Sequence, residues 1–307
     1  MPVMTMKMRE WIAQKLRTQR TFAGHKKRKE TAVIQAQLQE YENSPERERA
    51  SYWEEKFNAD ELRQRFRNAG CVVETTEIDI GDFEKWMKEN PVLVDFYRGM
   101  EDVRVEKLLE HYLSLRFLNV KESDVVIDIA AAASPFSQML RQRGIKAYSL
   151  DLTYPPGVRG YEIGSDAGNM PLPDGFADVL TLHCACERVQ GESDLTFAVE
   201  ANRVLKKGGR LGIIPLYVDT VHFIKTSPWC DRRDIKMEAE AMCLWRDDKY
   251  RAPFSRHYSP ESYSERIASR MKGMDMKVLR FMNLHELSKI YLGQRIYCHF
   301  MFRAVKP

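Results

Sequence analysis

Two acids placed at the ends of consecutive strand-like runs are the first sign of chemistry in this chain. Val125-Val126-Ile127 is an apolar, β-branched run that stops at Asp128, and Lys146 to Leu150 is a second run that stops at Asp151. Between them lie a loop of small residues, Ile129 to Ser134, then Pro135 and a short amphipathic segment, Phe136 to Arg143, closed by Gly144. This order of strand, tight loop, helix, strand and acid predicts the first half of a Rossmann-like, doubly wound α/β sheet. In such sheets a ligand lies across the carboxyl ends of the strands, and an acid closing the second strand accepts hydrogen bonds from a ribose diol. The loop holds Ala130, Ala132 and Ser134 where a phosphate-binding loop uses glycine. A pyrophosphate needs backbone amides close against it, so this loop suits an uncharged ribose better than a dinucleotide.

The elements that must carry these groups follow from the rest of the chain. Glu101 to Phe117 has Val105, Leu108, Leu109, Tyr112, Leu115 and Leu118 at helical spacing, which predicts a helix covering one face of the sheet. Pro155-Pro156-Gly157 rules out a long helix after Asp151. Tyr161 to Ile163 reads as a third strand, with Asp166-Ala167 opening the loop behind it. Ala177 to Leu182 reads as a fourth, ending at His183. Glu192 to Leu205 is a helix with Leu195, Ala198, Val199 and Leu205 inward, capped by Gly208-Gly209, and Arg210 to Pro215 is the fifth strand. Residues 217–257 are less regular and read as an insertion. Lys277 to Met282 and Arg295 to Arg303 complete the sheet. Upstream, Asn58-Ala59-Asp60-Glu61 starts a helix that Gly70 stops, Cys71 to Ile80 allows a short strand, and a helix within Asp82 to Arg98 breaks at Pro91.

Length and composition bound the rest. With 307 residues, 44% apolar and 30% charged, the chain is large enough for one large domain or two modest ones. No run approaches the roughly 18 apolar residues of a membrane span. The six cysteines lack C-x-x-C spacing, which points to reduced thiols in a cytoplasmic protein and to no structural metal. Residues 1–30 hold nine Lys/Arg against two Glu, so they carry +7 of a net +4, and the remainder carries −3. Their apolar face (Met4, Met8, Trp11, Ile12, Leu16) predicts a basic amphipathic helix. Such a helix packs on its own domain or on a second subunit of a homodimer; an anionic, peripheral membrane surface and nucleic acid are its other natural contacts. The organisation expected is a helical, basic extension over 1–100 followed by an α/β domain over 101–307.

From Ser123 to Pro215 the sequence resembles the class I S-adenosylmethionine-dependent methyltransferases, in the branch with a type 11-like domain. The resemblance rests on Asp166-Ala167 through Asp178, which follows a D-A-x-x-x-P-x-P-D-x-x-x-D pattern, and on Glu200 to Gly209, which follows E-x-x-R-V-L-K-x-G-G. It implies a mostly parallel seven-stranded sheet whose last strand is antiparallel, with S-adenosylmethionine as cofactor. It further implies that Asp128 lies near the cofactor's methionine end and that Ala130, Ala132 and Ser134 pass beneath it. By the same resemblance Asp151 and Leu152 hold the ribose region, Asp166 and Ala167 the adenine edge, and His183 the neighbourhood of the sulfonium. The acceptor expected is a small molecule or a carbohydrate-like compound. Candidate bases are His183 and Glu187, with His222 and His257 behind them, while Cys184 lies on the same rim without an assigned task. Trp229, Trp245 and Tyr217 read as core or lid packing. A rival reading is a methyltransferase-like interaction module, favoured by the glycine-free loop. Methylation of nucleic acid ranks below both, because His183-Cys184-Ala185-Cys186 lacks the Asn/Asp-Pro-Pro-aromatic signature.

Overall fold

The computed structural model describes residues 31–45, 57–100, 102–132, 134–238, 241–248 and 250–307. The basic helix expected within residues 1–30 lies outside them. In chain order the elements used below are helix α1 (31–42), α2 (Ala59–Asn68), strand β1 (Val73–Thr76), α3 (Ile80–Glu89), α4 (Pro91–Phe96), α5 (Arg104–Phe117), β2 (Val125–Ile129), α6 (Phe136–Gln142), β3 (Lys146–Arg159) and β4 (Glu162–Gly164). They continue with β5 (Ala177–His183), α7 (Ser193–Val204), β6 (Leu205–Ile214), β7 (Phe223–Thr226), β8 (Met242–Trp245), β9 (Ser255–His257), α8 (Pro260–Arg266), β10 (Asp275–Phe281), α9 (Leu284–Ile290) and β11 (Phe300–Val305).

The chain divides into two compact units. The smaller takes its described residues from 31–45, 225–235 and 243–254. Inside it, the Gln37 side chain donates to the Cys230 carbonyl at 2.7 Å, and Arg232 pairs with Glu40 at 2.9 Å. Arg232 also lies over the Trp245 ring at 4.1 Å, and Tyr41 meets Trp229 at 5.4 Å. These two tryptophans are packing residues, as their setting in the sequence predicts.

The larger unit contains the principal sheet, ordered β1-β10-β11-β6-β5-β2-β3-β4. β2 to β6 run parallel to one another, and β11 lies antiparallel between β6 and β10. Seven of these strands are the doubly wound set that the sequence predicts. The eighth, β1, adds to the outer edge of β10, with Val73 opposite Val278. Sequence runs from β2 outward through β3 to β4, then returns to β5 on the other side of β2. The order therefore reverses between β2 and β5, which opens a crevice at their carboxyl ends.

Alternation along the strands loads both faces. Val126 and Val179 point into one buried cluster with α5 and α6, while Ile127, Ile129, Leu180 and Leu182 point into the other with α7. Each of these aliphatic side chains is essentially fully buried and contributes about 1.5–3 kcal/mol by leaving water.

Three local expectations are corrected. First, the Gly208-Gly209 pair does not cap a helix. α7 ends at Val204 and β6 begins at once with Leu205, and Gly208 donates to the Lys306 carbonyl from within the strand. Second, the inward face of α7 is Asp194, Phe197, Ala198, Ala201 and Val204, and Val199 faces solvent at 56% exposure. The phase is set by burial of Asp194, an acid that apolar periodicity counts as surface. Third, β3 does not end at Leu150. Its chain turns through residues 152–155 and returns along β4, with Val158 opposite Ile163 and Arg159 opposite Glu162. This strap crosses so close that a Cβ on Gly164 would meet the Pro155 carbonyl oxygen at 2.0 Å, which is why glycine stands there.

Candidate active site

The loop after β2 has the backbone of a glycine loop without its glycines. Ala130 and Ala132 adopt φ of +54° and +42°, and both are exposed on its crest. A non-glycine residue held there costs on the order of 1–3 kcal/mol, and such positions cluster where function requires them. Ser134 closes the loop, its amide donating to the Ala131 carbonyl at 2.6 Å and its hydroxyl accepting from Phe136 N at 3.3 Å.

Each sequence-derived acid has a distinct setting. Asp151 is buried, and its Oδ2 accepts the Ala132 amide at 2.8 Å. Its Oδ1 accepts both the amide and the hydroxyl of Thr153, at 2.9 and 2.7 Å. A carboxylate has about four acceptor positions, so three are filled by the chain and one on Oδ2 remains. Asp166 is exposed, with Oδ1 taken by the Gly168 amide at 2.8 Å in an Asx turn. Leu152 is 73% exposed beside Asp151, and Ala167 is half-buried. Asp128 is turned the other way. It is 2% exposed, and its Oδ1 accepts from the Thr181 hydroxyl and meets His183 Nδ1, both at 3.0 Å.

His183 is thereby held on both sides, its Nε2 lying 2.9 Å from the Ser114 hydroxyl of α5. The imidazole packs edge-on against His111 and Phe136 at 4.5 and 4.7 Å. Burial drives the pKa of His111 well down, so that ring is neutral beside it. Of the other two candidate histidines, His222 is engaged by Ser262 and Glu238, each at 2.9 Å, and the His257 ring stacks on Phe223 at 4.5 Å.

One residue beyond His183 the chain turns sharply, with Cys184 at φ +48° and its amide donating to the Ile214 carbonyl at 3.0 Å. Its thiol enters a polar cluster drawn from four parts of the chain. Lys107 Nζ contacts Glu110 at 3.1 Å and the Cys184 sulfur, and the thiol approaches Glu110 at 3.0 Å. The hydroxyls of Tyr217 and Tyr297 lie 3.5 and 3.6 Å from the sulfur and 3.4 Å from each other. Burial raises the pKa of Cys184, Tyr217 and Tyr297 well above their ordinary ranges, so all three remain protonated donors. Tyr217, expected as packing, belongs to this cluster.

Glu187 stands at its margin in a short turn, 2% exposed. Its Oε1 lies 3.5 Å from Arg188, while Oε2 is buried with no hydrogen-bond partner. Burial, opposed in part by Arg188, raises its pKa. Lys107, Glu110, Tyr217 and Tyr297 were not singled out for chemistry from the sequence. The one usable signal was the pair of acids, Glu106 and Glu110, on the buried face of α5.

Residues 125–213 match the family model described as a methyltransferase domain. Over these residues the chain carries a methyltransferase domain. Among curated proteins no sequence matches it. Among solved structures it is similar to an S-adenosylmethionine-dependent methyltransferase of Methanosarcina mazei, at 15% identity and TM-score 0.40, covering 62% of this chain and 96% of that one. It is also similar to the 1,6-didemethyltoxoflavin-N1-methyltransferase of Burkholderia thailandensis, solved with 1,6-didemethyltoxoflavin and S-adenosylhomocysteine. There the identity is 13% and the TM-score 0.42, over 76% of this chain and 93% of that one. A methyltransferase of Mesorhizobium loti shows 13% identity and TM-score 0.42, over 64% and 98%. The methyltransferase's cofactor is S-adenosylmethionine, and three local settings suit it: an exposed left-handed loop, a buried carboxylate with one acceptor position left, and the exposed Asp166. No helix among the described residues is long and apolar enough to cross a membrane.

Proposed function

We propose that this methyltransferase acts on a small-molecule or carbohydrate-like acceptor seated beside Cys184, Tyr217 and Tyr297, with Glu187 as the base. The observation that carries the reading is the buried, unpartnered Oε2 of Glu187 at the margin of a cluster of hydroxyl and thiol donors. When bound, S-adenosylmethionine supplies a methyl group already activated by its sulfonium, so the protein's task is alignment and proton removal. Asp151 is the residue for the ribose diol through its remaining acceptor position, with Leu152 and Ala167 flanking the adenosine and Asp166 toward the adenine amino group. Ala130, Ala132 and Ser134 form the floor beneath it. Asp128 orients His183, whose two nitrogens are both engaged, so His183 serves as a wall of the site and not as its base. Glu187 has a free oxygen and a pKa raised by burial, two properties that suit a general base.

Calorimetry with S-adenosylhomocysteine, followed by transfer of a labelled methyl group to a panel of phenols, sugars and other small hydroxyl compounds, tests the reading. Heat of binding and label in a small acceptor are expected. Absence of heat at millimolar ligand refutes it, and label appearing only in protein or nucleic acid refutes the acceptor class.

A further inference from the structure

The alanines of the cofactor loop occupy a conformation that L side chains avoid, and the residues that hold one of them there lie where β3 turns into its strap. The Ala132 amide donates to Asp151 Oδ2, and the Ala132 carbonyl accepts from the Tyr154 hydroxyl. Both polar groups of a single exposed, left-handed residue are thus gripped by side chains three positions apart. The strap itself is pinned at its two ends. Thr153 bonds Asp151 through its amide and hydroxyl, and the Tyr161 carbonyl accepts from the Ser149 amide at 2.8 Å. In between, the Pro155 backbone lies against Gly164, where no Cβ would fit. Burial and the nearby Asp151 carboxylate raise the Tyr154 pKa, so its hydroxyl keeps the proton it donates.

We infer that Tyr154 is a positioning residue for the cofactor loop: with Asp151 it clamps Ala132 at positive φ, replacing the conformational freedom that glycine would have supplied. A loop glycine reaches this backbone without strain, whereas alanine reaches it at a cost in strain, which the held amide and carbonyl of Ala132 offset. The inference rests on the reading above that this loop carries the cofactor. It assigns to Tyr154, in a segment with no assigned role, control over how well the loop is formed before ligand arrives.

A double-mutant cycle tests the clamp without any ligand. Tyr154→Phe is expected to lower stability to denaturant when residue 132 is alanine, and to lower it by less when the same change is made on an Ala132→Gly background. Equal losses in both backgrounds, or none in either, overturn the clamp. Calorimetry with S-adenosylhomocysteine then reads its consequence: Tyr154→Phe should weaken binding about tenfold, as expected for one lost hydrogen bond, and the Ala132→Gly background should recover most of that loss. A penalty that persists undiminished with glycine at position 132 also overturns the inference, since it would make Tyr154 a direct ligand contact. A wild-type chain that binds no S-adenosylhomocysteine rejects the cofactor reading, and the denaturant cycle still decides whether Tyr154 clamps the loop.

Discussion

Two clusters of buried charge in the larger unit have opposite constitutions. Around Asp194 every charge is answered. Arg266 and Arg256 meet its carboxylate at 2.8 and 3.2 Å, and the Tyr258 hydroxyl donates to it at 3.0 Å. Arg256 also pairs with Glu238 and donates to the Val189 and Gly191 carbonyls, while His222 bonds Glu238. Around Glu187 the balance is incomplete. Glu106, Glu110 and Glu187 crowd near Lys107, and one oxygen each of Glu106 and Glu187 has no partner. A saturated network is expensive to break and has nothing left to offer a ligand. An unsaturated one leaves chemistry available at the cost of local instability. The contrast separates what holds the fold from what is positioned to react.

The largest effect expected is at the unsaturated cluster. Glu187→Gln should lower kcat by roughly 10²- to 10⁴-fold while leaving S-adenosylhomocysteine binding in place. Steady-state rates beside calorimetry check this, and an unchanged kcat ends the assignment of Glu187 as base. Next comes Asp194→Ala, which removes the buried carboxylate that two arginines share and should cost about 3–5 kcal/mol in denaturant unfolding. A loss as small as that of an exposed pair would erase the distinction between the clusters.

Acid titration sharpens the comparison because the two glutamates are shifted in opposite directions. The pKa of Glu238 is lowered by His222 and the two arginines against the opposing effect of burial. Its contribution to stability is therefore fully present above the ordinary glutamate value of 4.5 and fades as pH falls through its lower folded value. Glu187 is raised by burial, so in its case stability declines as pH rises from 4.5 through the folded value. Glu187→Gln should accordingly be no less stable than wild type at pH 7, with any advantage vanishing below pH 4.5, whereas Glu238→Gln should be destabilised at pH 7 and converge with wild type in acid. Unfolding curves at a series of pH values test both signs. The smallest effect is at the loop: Ala132→Gly relieves a left-handed alanine and should raise stability by about 1 kcal/mol.

The β2-loop-α6-β3 opening was legible because local patterns specify it: apolar runs of strand length, a small-residue loop and acids at fixed stops. The same holds for Asn58 capping α2 and for the break between α3 and α4 at Pro91. What escaped was non-local or polar. The phase of α7 depended on Asp194 being buried by arginines more than sixty residues downstream, and apolar periodicity has no means of registering that. Tyr217 and Tyr297 join Cys184, Lys107 and Glu110 only because α5 and three loop segments converge at one end of the central strands β5, β6 and β11. Leu150 looked like a strand end because the apolar run stops at Asp151, yet the chain beyond returns as an edge limb where the missing amides of Pro155 and Pro156 are tolerated.

The sharp turn at Cys184 sends neighbouring side chains into separate compartments, the imidazole of 183 toward Asp128 and the thiol of 184 toward the tyrosines. With the acceptor placed as proposed, positions 184, 217 and 297 can change without disturbing the partners of the histidine. A chain built in this way can alter one compartment while leaving the other intact.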